Sequence, residues 1–177
     1  MAGTMVTTMA DGALADQEVA TLSSSAATTQ THGLLQLLWL ASPALPVGGF
    51  SYSEGLEAAV DAGVVDDERS AGDWLANQLQ LSLARAELVV VQRALQAWRS
   101  ADVDAIAALD AWVRATRETS ELRLQTEQMG RSLHEWLKAV RPDAAARVGA
   151  PMTYPVAWAL AAAGCGAGEA EVLHGFA

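Results

Sequence analysis

Trp74, Leu75, Leu79, Leu83, Ala86, Val90, Ala94, Ala97 and Trp98 recur at spacings of three and four. An α-helix places such positions on one face, so the stripe predicts a long helix that opens at Ser70 and turns one apolar side toward a core or a partner. The same period governs much of the remaining chain. Leu34, Leu35, Leu37, Leu38 and Leu40 are apolar on nearly all sides, which predicts a buried first helix ending at the Ser42-Pro43 boundary. A second helix runs from about Ser51 to Ala62 and stops at Gly63, a residue suited to a left-handed C-terminal cap. Asp102 can cap a helix through Ile106, Leu109, Trp112 and Val113, and another extends from Glu118 to Val140 before Pro142. After Pro151 and Pro155, the run Val156–Ala163 is short, apolar and expected to be buried, and Glu169–Ala177 reads as the opening turns of a further helix. No stretch sustains period-two alternation, so the expected fold is an all-α, single-domain helical bundle with short connections over 34–177. Residues 1–33, rich in Thr, Ser and Ala without regular apolar spacing, read as a flexible N-terminal tail.

Composition narrows the function. A chain of 177 residues with 51% hydrophobic content can bury one substantial core. Its formal net charge of −10 repels phosphate backbones, so a nucleic-acid partner is not expected. Lys138 is the only lysine, and no basic residue precedes Arg69, so the start of the chain lacks the positive region of a secretory signal. The longest apolar run, Leu34–Val47, is too short to span a bilayer, and no membrane partner is expected. Cys165 is the one cysteine, in keeping with a reducing, cytoplasmic setting.

Two segments carry more information than periodicity. Ser42–Glu57 reads SPALPVGGFSYSEGLE. Pro43 and Pro46 bar regular helix, Gly48 and Gly49 permit backbone angles closed to other residues, and Ser51 with Glu54 has the spacing of a capping box. Phe50 and Tyr52 either anchor this loop on the core or line a partner pocket. Glu118–Leu133 reads ETSELRLQTEQMGRSL. Its charges predict a ladder of i,i+4 pairs joining Arg117 to Glu121, Arg123 to Glu127 and Glu127 to Arg131, each worth about 0.2–0.5 kcal/mol when exposed. Gly130 costs roughly 1 kcal/mol relative to alanine inside a helix, which points to a close approach by a neighbouring element.

These two segments, in this order, resemble the signature regions of the urease accessory protein F family, and the resemblance runs from about Leu34 to Ala177. It implies a non-enzymatic adaptor that dimerises, docks the accessory protein called D or H, and recruits the GTPase called G to apo-urease during assembly of the nickel centre. Nickel and GTP would be handled by those partners, with no cofactor bound directly by this chain. The positions matching the family motifs, and so the expected partner contacts, are Gly48, Gly49, Phe50, Ser51, Tyr52, Ser53, Glu54, Glu57, Thr126, Gln128, Met129, Gly130 and Arg131. Family members continue through more helix beyond the position matching Ala177, so the chain reads as lacking C-terminal helices.

The residues themselves leave little room for chemistry. His32, His134, His174 and Cys165 are the expected nickel-donor types, and none lies in close spacing with another. No G-x-x-x-x-G-K-[ST] loop is present. Gly49-Phe50-Ser51-Tyr52-Ser53 comes within one residue of a hydrolase nucleophile elbow, but Ser53 replaces the second glycine and no strand precedes it, so a catalytic Ser51 is the weaker reading. A direct nickel carrier using His134 or His174 is the other alternative.

Overall fold

The computed structural model describes residues 31–49 and 55–177, and among these every regular element is helical. Helix α1 covers 31–40, α2 Leu56–Asp61 and α3 Glu68–Asn77. A π-helical stretch, Gln78–Glu87, runs on into α4, Leu88–Ser100. There follow α5 Val103–Thr116, α6 Ser120–Val140, the single turn α7 Pro142–Ala145, α8 Tyr154–Ala163 and α9 Glu169–Phe176.

Local chemistry sets most of these boundaries. Asp67 caps α3 by accepting from Ser70 N at 2.7 Å, and Ser70 Oγ accepts from Asp67 N at 3.0 Å in return. Ser70 is thus the third residue of the helix rather than its start. Asp102 accepts from Ala105 N at 3.0 Å and Thr119 from Leu122 N at 3.2 Å, satisfying amides that the first turns of α5 and α6 leave free. Gly63, at φ +68°, follows the end of α2 in the left-handed conformation that glycine adopts without strain.

The centre of the bundle is α8. Its residues Pro155–Ala162 are all buried, which accounts for a sequence that is apolar on every side. Helices α4 and α6 pack along it, with α5 alongside, and α9 packs on α4. Trp98 donates its indole N–H to Val156 O at 3.0 Å, while Phe176 meets Trp158 edge-on at 5.2 Å between ring centres. The start of α9 is tied to α4 by Gln92 and Gln96, which donate to the Glu169 carboxylate at 2.5 and 3.0 Å. Arg141 crosses from the end of α6 to donate to Ala161 O at 2.9 Å. Its guanidinium lies 1.4 Å from where a Cβ on Gly164 would stand, so the turn after α8 has room for glycine alone unless the arginine moves.

Two expectations are revised. Helix α1 is not buried all round: Leu37 and Leu40 face inward, but Leu35, Leu38 and Trp39 are 59–63% exposed. The reason is that its contacts lie on one side, where Gly33 meets the Cys165–Ala167 backbone and Leu37 meets Gly175. The helix also takes in residues 31–33, ahead of the expected start at Leu34. The long stripe divides as well. Val90, Ala94, Ala97 and Trp98 are buried, whereas Leu75 and Leu79 are each 51% exposed. Neither α3 nor the π stretch buries any residue, and α3 packs on no helix of the core, so Leu75 and Leu79 lie on a part of the rod that stands clear of the bundle.

Tyr154, at the mouth of α8 and 5.9 Å from the Phe176 ring, supplies a test of this packing. Burial pushes its phenol from the ordinary 10.0 up to about 12. Folding therefore favours the neutral form, and its contribution is complete below pH 10 and lost as pH rises toward 12. Urea titrations should show stability falling across that window, and Tyr154→Phe should flatten the fall.

Candidate docking site where the two motifs meet

The proline-rich loop is held by two inward side chains. Leu45 and Val47 are buried, and backbone bonds from Leu45 N to Ser42 O at 3.0 Å and from Val47 N to Leu45 O at 2.8 Å fold the chain between them. Gly48 then takes φ +78° with nothing near its missing side chain, so backbone angle and not space selects glycine there. Gly49 answers to space. A Cβ on it would stand 2.8 Å from Met129 Cε, so the loop lies directly on the middle of α6. Residues Phe50, Ser51, Tyr52, Ser53 and Glu54 fall outside the described residues, and with them the expected capping box and nucleophile elbow. The chain resumes at Gly55, at φ +93°, and Glu57 is exposed on α2.

On α6 the motif splits by face. Thr126 and Gly130, one turn apart, are buried with Leu133, His134 and Leu137. Gln128 and Arg131 are exposed, and Met129 is half-buried between the two sets. A Cβ on Gly130 would stand 1.9 Å from Met152 O and 2.9 Å from Thr153 C. Helix α6 can therefore press against the backbone that leads into α8 only because this residue lacks a side chain. The structure thus brings Gly49, Met129 and Gly130 into one layered contact of loop, helix and loop.

The expected ladder along α6 is absent among the described residues. Glu127 turns away from Arg123 and Arg131 and pairs with Arg114 of α5 at 3.1 Å, while Arg117 pairs with Glu87. A partly buried partner on another helix is less screened by water than an exposed neighbour on the same one. Arg114 also binds Asp110, whose other carboxylate oxygen accepts from Thr153 N at 2.7 Å. Asp110 escaped the sequence reading, although its place in the run Ile106, Asp110, Val113, on the inward face of α5, marks it as a polar group at a core position. Thr126 Oγ1 and Thr153 Oγ1 are buried beside this junction without hydrogen-bond partners.

The ligand-type residues are dispersed. His32 and His174 are exposed, with His174 Nδ1 2.7 Å from Ala170 O, and His134 is buried. Cys165 is buried too; desolvation raises its thiol pKa against the opposing pull of Arg141. Among the described residues no three His, Cys, Asp or Glu side chains converge as a metal site would need, and no helix is long and apolar enough to cross a membrane. What the geometry provides is a turn-rich loop clamped on a helix that leaves Gln128 and Arg131 facing out.

Fold and site define an all-α protein built around a central apolar helix, with a shaped loop seated on the outer face of α6. The profile of the UreF family matches residues 65–177, that is, α3 through α9. The chain is 57% identical over 147 residues to a urease accessory protein UreF of Paracidovorax citrulli, covering 79% of this chain and 59% of that protein. It is 54% identical over 161 residues to one from a Polaromonas species, covering 88% and 68%, and 57% identical over 160 residues to one from Methylibium petroleiphilum, covering 86% and 67%. The chain belongs to the UreF family. It spans 59–68% of the length of these three relatives.

Gly130→Ala should lower stability by about 1–3 kcal/mol through overpacking against carbonyl oxygen, a fall of roughly 2–12 °C in Tm for a chain of this size. Gly49→Ala meets only the mobile end of Met129 and should cost less, and Gly149→Ala, with open space around it, should be near neutral. Equal melting temperatures for the three variants would remove the close approach as the reason for Gly130.

Proposed function

We propose that this chain acts as a non-enzymatic adaptor in urease maturation. In this reading it dimerises in the cytoplasm, binds accessory protein D or H, and through it brings the GTPase G to apo-urease, so that nickel and GTP stay with the partners. The reading is supported by membership of a family whose relatives are named urease accessory proteins. The carrying observation is the contact between Gly49 and Met129, which joins the two motifs across a gap of many residues. A loop that merely connected α1 to α2 would not need to lie against a methionine in the middle of α6. Clamping it there fixes Gly48 and Gly49 against the shoulder of α6, beside the exposed Gln128 and Arg131, so the described ends of the two motifs share one side of that helix. Preordered loops of this kind reduce the conformational entropy lost on binding.

Co-expression with the other accessory proteins and apo-urease tests the reading. Tyr52→Asp and Arg131→Glu should each weaken co-purification at least tenfold and lower urease activation in cells, while far-ultraviolet circular dichroism stays unchanged. Full retention of the complex in both variants would exclude this surface, and turnover of a small substrate by the purified chain alone would exclude the adaptor role.

A further inference from the structure

A second surface sits on another side of the bundle and shares no residue with the motif contact. Between α4, with the π stretch before it, and α5 runs a groove of about 620 Å³. It exists because the facing residues are small: Ala86 on one wall and Ala105 and Ala108 on the other hold the two helices together without filling the space between them. Leu109 and Val89 add apolar lining, and Trp112, 47% exposed, stands at its edge. Ala105, Ala108, Leu109 and Trp112 follow one another at i, i+3, i+4 and i+7, an apolar strip two turns long.

The charge of this groove departs from that of the molecule. The chain carries −10 overall, yet the groove is lined by Arg85 and Arg93 and by no acidic side chain. The ion pairs among the described residues use other cations, namely Arg114, Arg117 and Lys138. Arg85, at the end of the π stretch, and Arg93, on α4, are eight residues apart, so they are separated along the axis by somewhat less than the roughly 12 Å that 1.5 Å per residue would give. Glutamates seven residues apart on a helix lying in the groove would be separated by about 10.5 Å, within reach of both guanidinium groups.

We propose that the α4–α5 groove is a docking site for an acidic amphipathic helix of a partner protein, with apolar anchors against Trp112, Val89 and Leu109 and carboxylates on Arg85 and Arg93. The mode is helix-in-groove recognition, in which apolar anchors supply affinity and the flanking charges set direction and register. This surface goes beyond the adaptor reading and does not depend on it, since the motif face and the groove can be altered separately.

The test uses the full chain and a fluorescein-labelled synthetic helix with leucines at i+3 and i+4 and glutamates at i and i+7. A strongly acidic protein repels such a peptide everywhere except at a dedicated cationic site, so saturable binding is itself discriminating. Arg85→Glu with Arg93→Glu should weaken binding at least tenfold, and a peptide with lysines in place of its glutamates should recover it on that variant. Trp112→Ala should also weaken binding at least tenfold, with helicity and Tm held as the control for folding. Absence of saturable binding, or equal affinity of the wild-type chain for the glutamate and lysine peptides, overturns the proposal. So do two other results: self-association in sedimentation that the double reversal abolishes, which would make a second copy the occupant, and tighter peptide binding after Asp11→Asn, Asp16→Asn and Glu18→Gln, which would make residues 1–30 the occupant.

Discussion

Everything in this bundle depends on closing protein around a helix that has no polar side. Most helices present one apolar stripe and need one neighbour, but α8 offers none of its residues from Pro155 to Ala162 to water. Burying its aliphatic and tryptophan side chains is favourable by about 25 cal/mol for each Å² of apolar area removed from solvent, and that gain requires α4, α5 and α6 to stand around it together. The polar contacts serve this enclosure at its ends. Asp110 holds the Thr153 amide at the entrance to α8, and Arg141 holds the Ala161 carbonyl at its exit. The Thr153 amide precedes the helix and needs such an acceptor, and the Ala161 carbonyl gains from Arg141 a stronger donor than the Cys165 thiol that also reaches it; buried polar groups left short of partners are costly.

The candidate site is a by-product of that enclosure. Helix α6 reaches the backbone before α8 because Gly130 lacks a side chain, and Met129, the next residue along, is thereby set at the height where the Pro43–Gly49 loop crosses. One face of α6 builds the core while its shoulder seats the loop. A change made to improve packing at Gly130 would for this reason also shift the loop, so stability and surface geometry cannot be adjusted independently at this point.

Helix content, several boundaries and the position of α8 were legible in the sequence because they arise from local rules: spacing of three and four, Asp102 at a helix start, proline at Pro142, glycine at Gly63; the caps Asp67 and Thr119 were not read. Gly130 was legible as an anomaly, a costly residue inside a helix, although the Met152 carbonyl that explains it lies more than twenty positions away. Non-local pairing was not legible. Glu127 has two arginines within reach along its own helix, Arg123 and Arg131, and only the placement of α5 beside α6 selects Arg114 instead. The exposure of α1 follows the same logic, since a leucine-rich segment is written alike whether it has neighbours on one side or all round. The exposure of Leu75 and Leu79 was not legible because periodicity marks an apolar stripe without saying whether another helix reaches it.

That π-wound segment has a bearing on how such chains diverge. A π turn is commonly an α turn with one residue too many, so Gln78–Glu87 is where a deletion would be absorbed most easily, with Leu88–Ser100 staying seated on α8 while Glu68–Asn77 swings about the axis of the rod. A change of winding here would re-aim the outer arm without touching the interior, since neither Glu68–Asn77 nor Gln78–Glu87 contributes a buried residue.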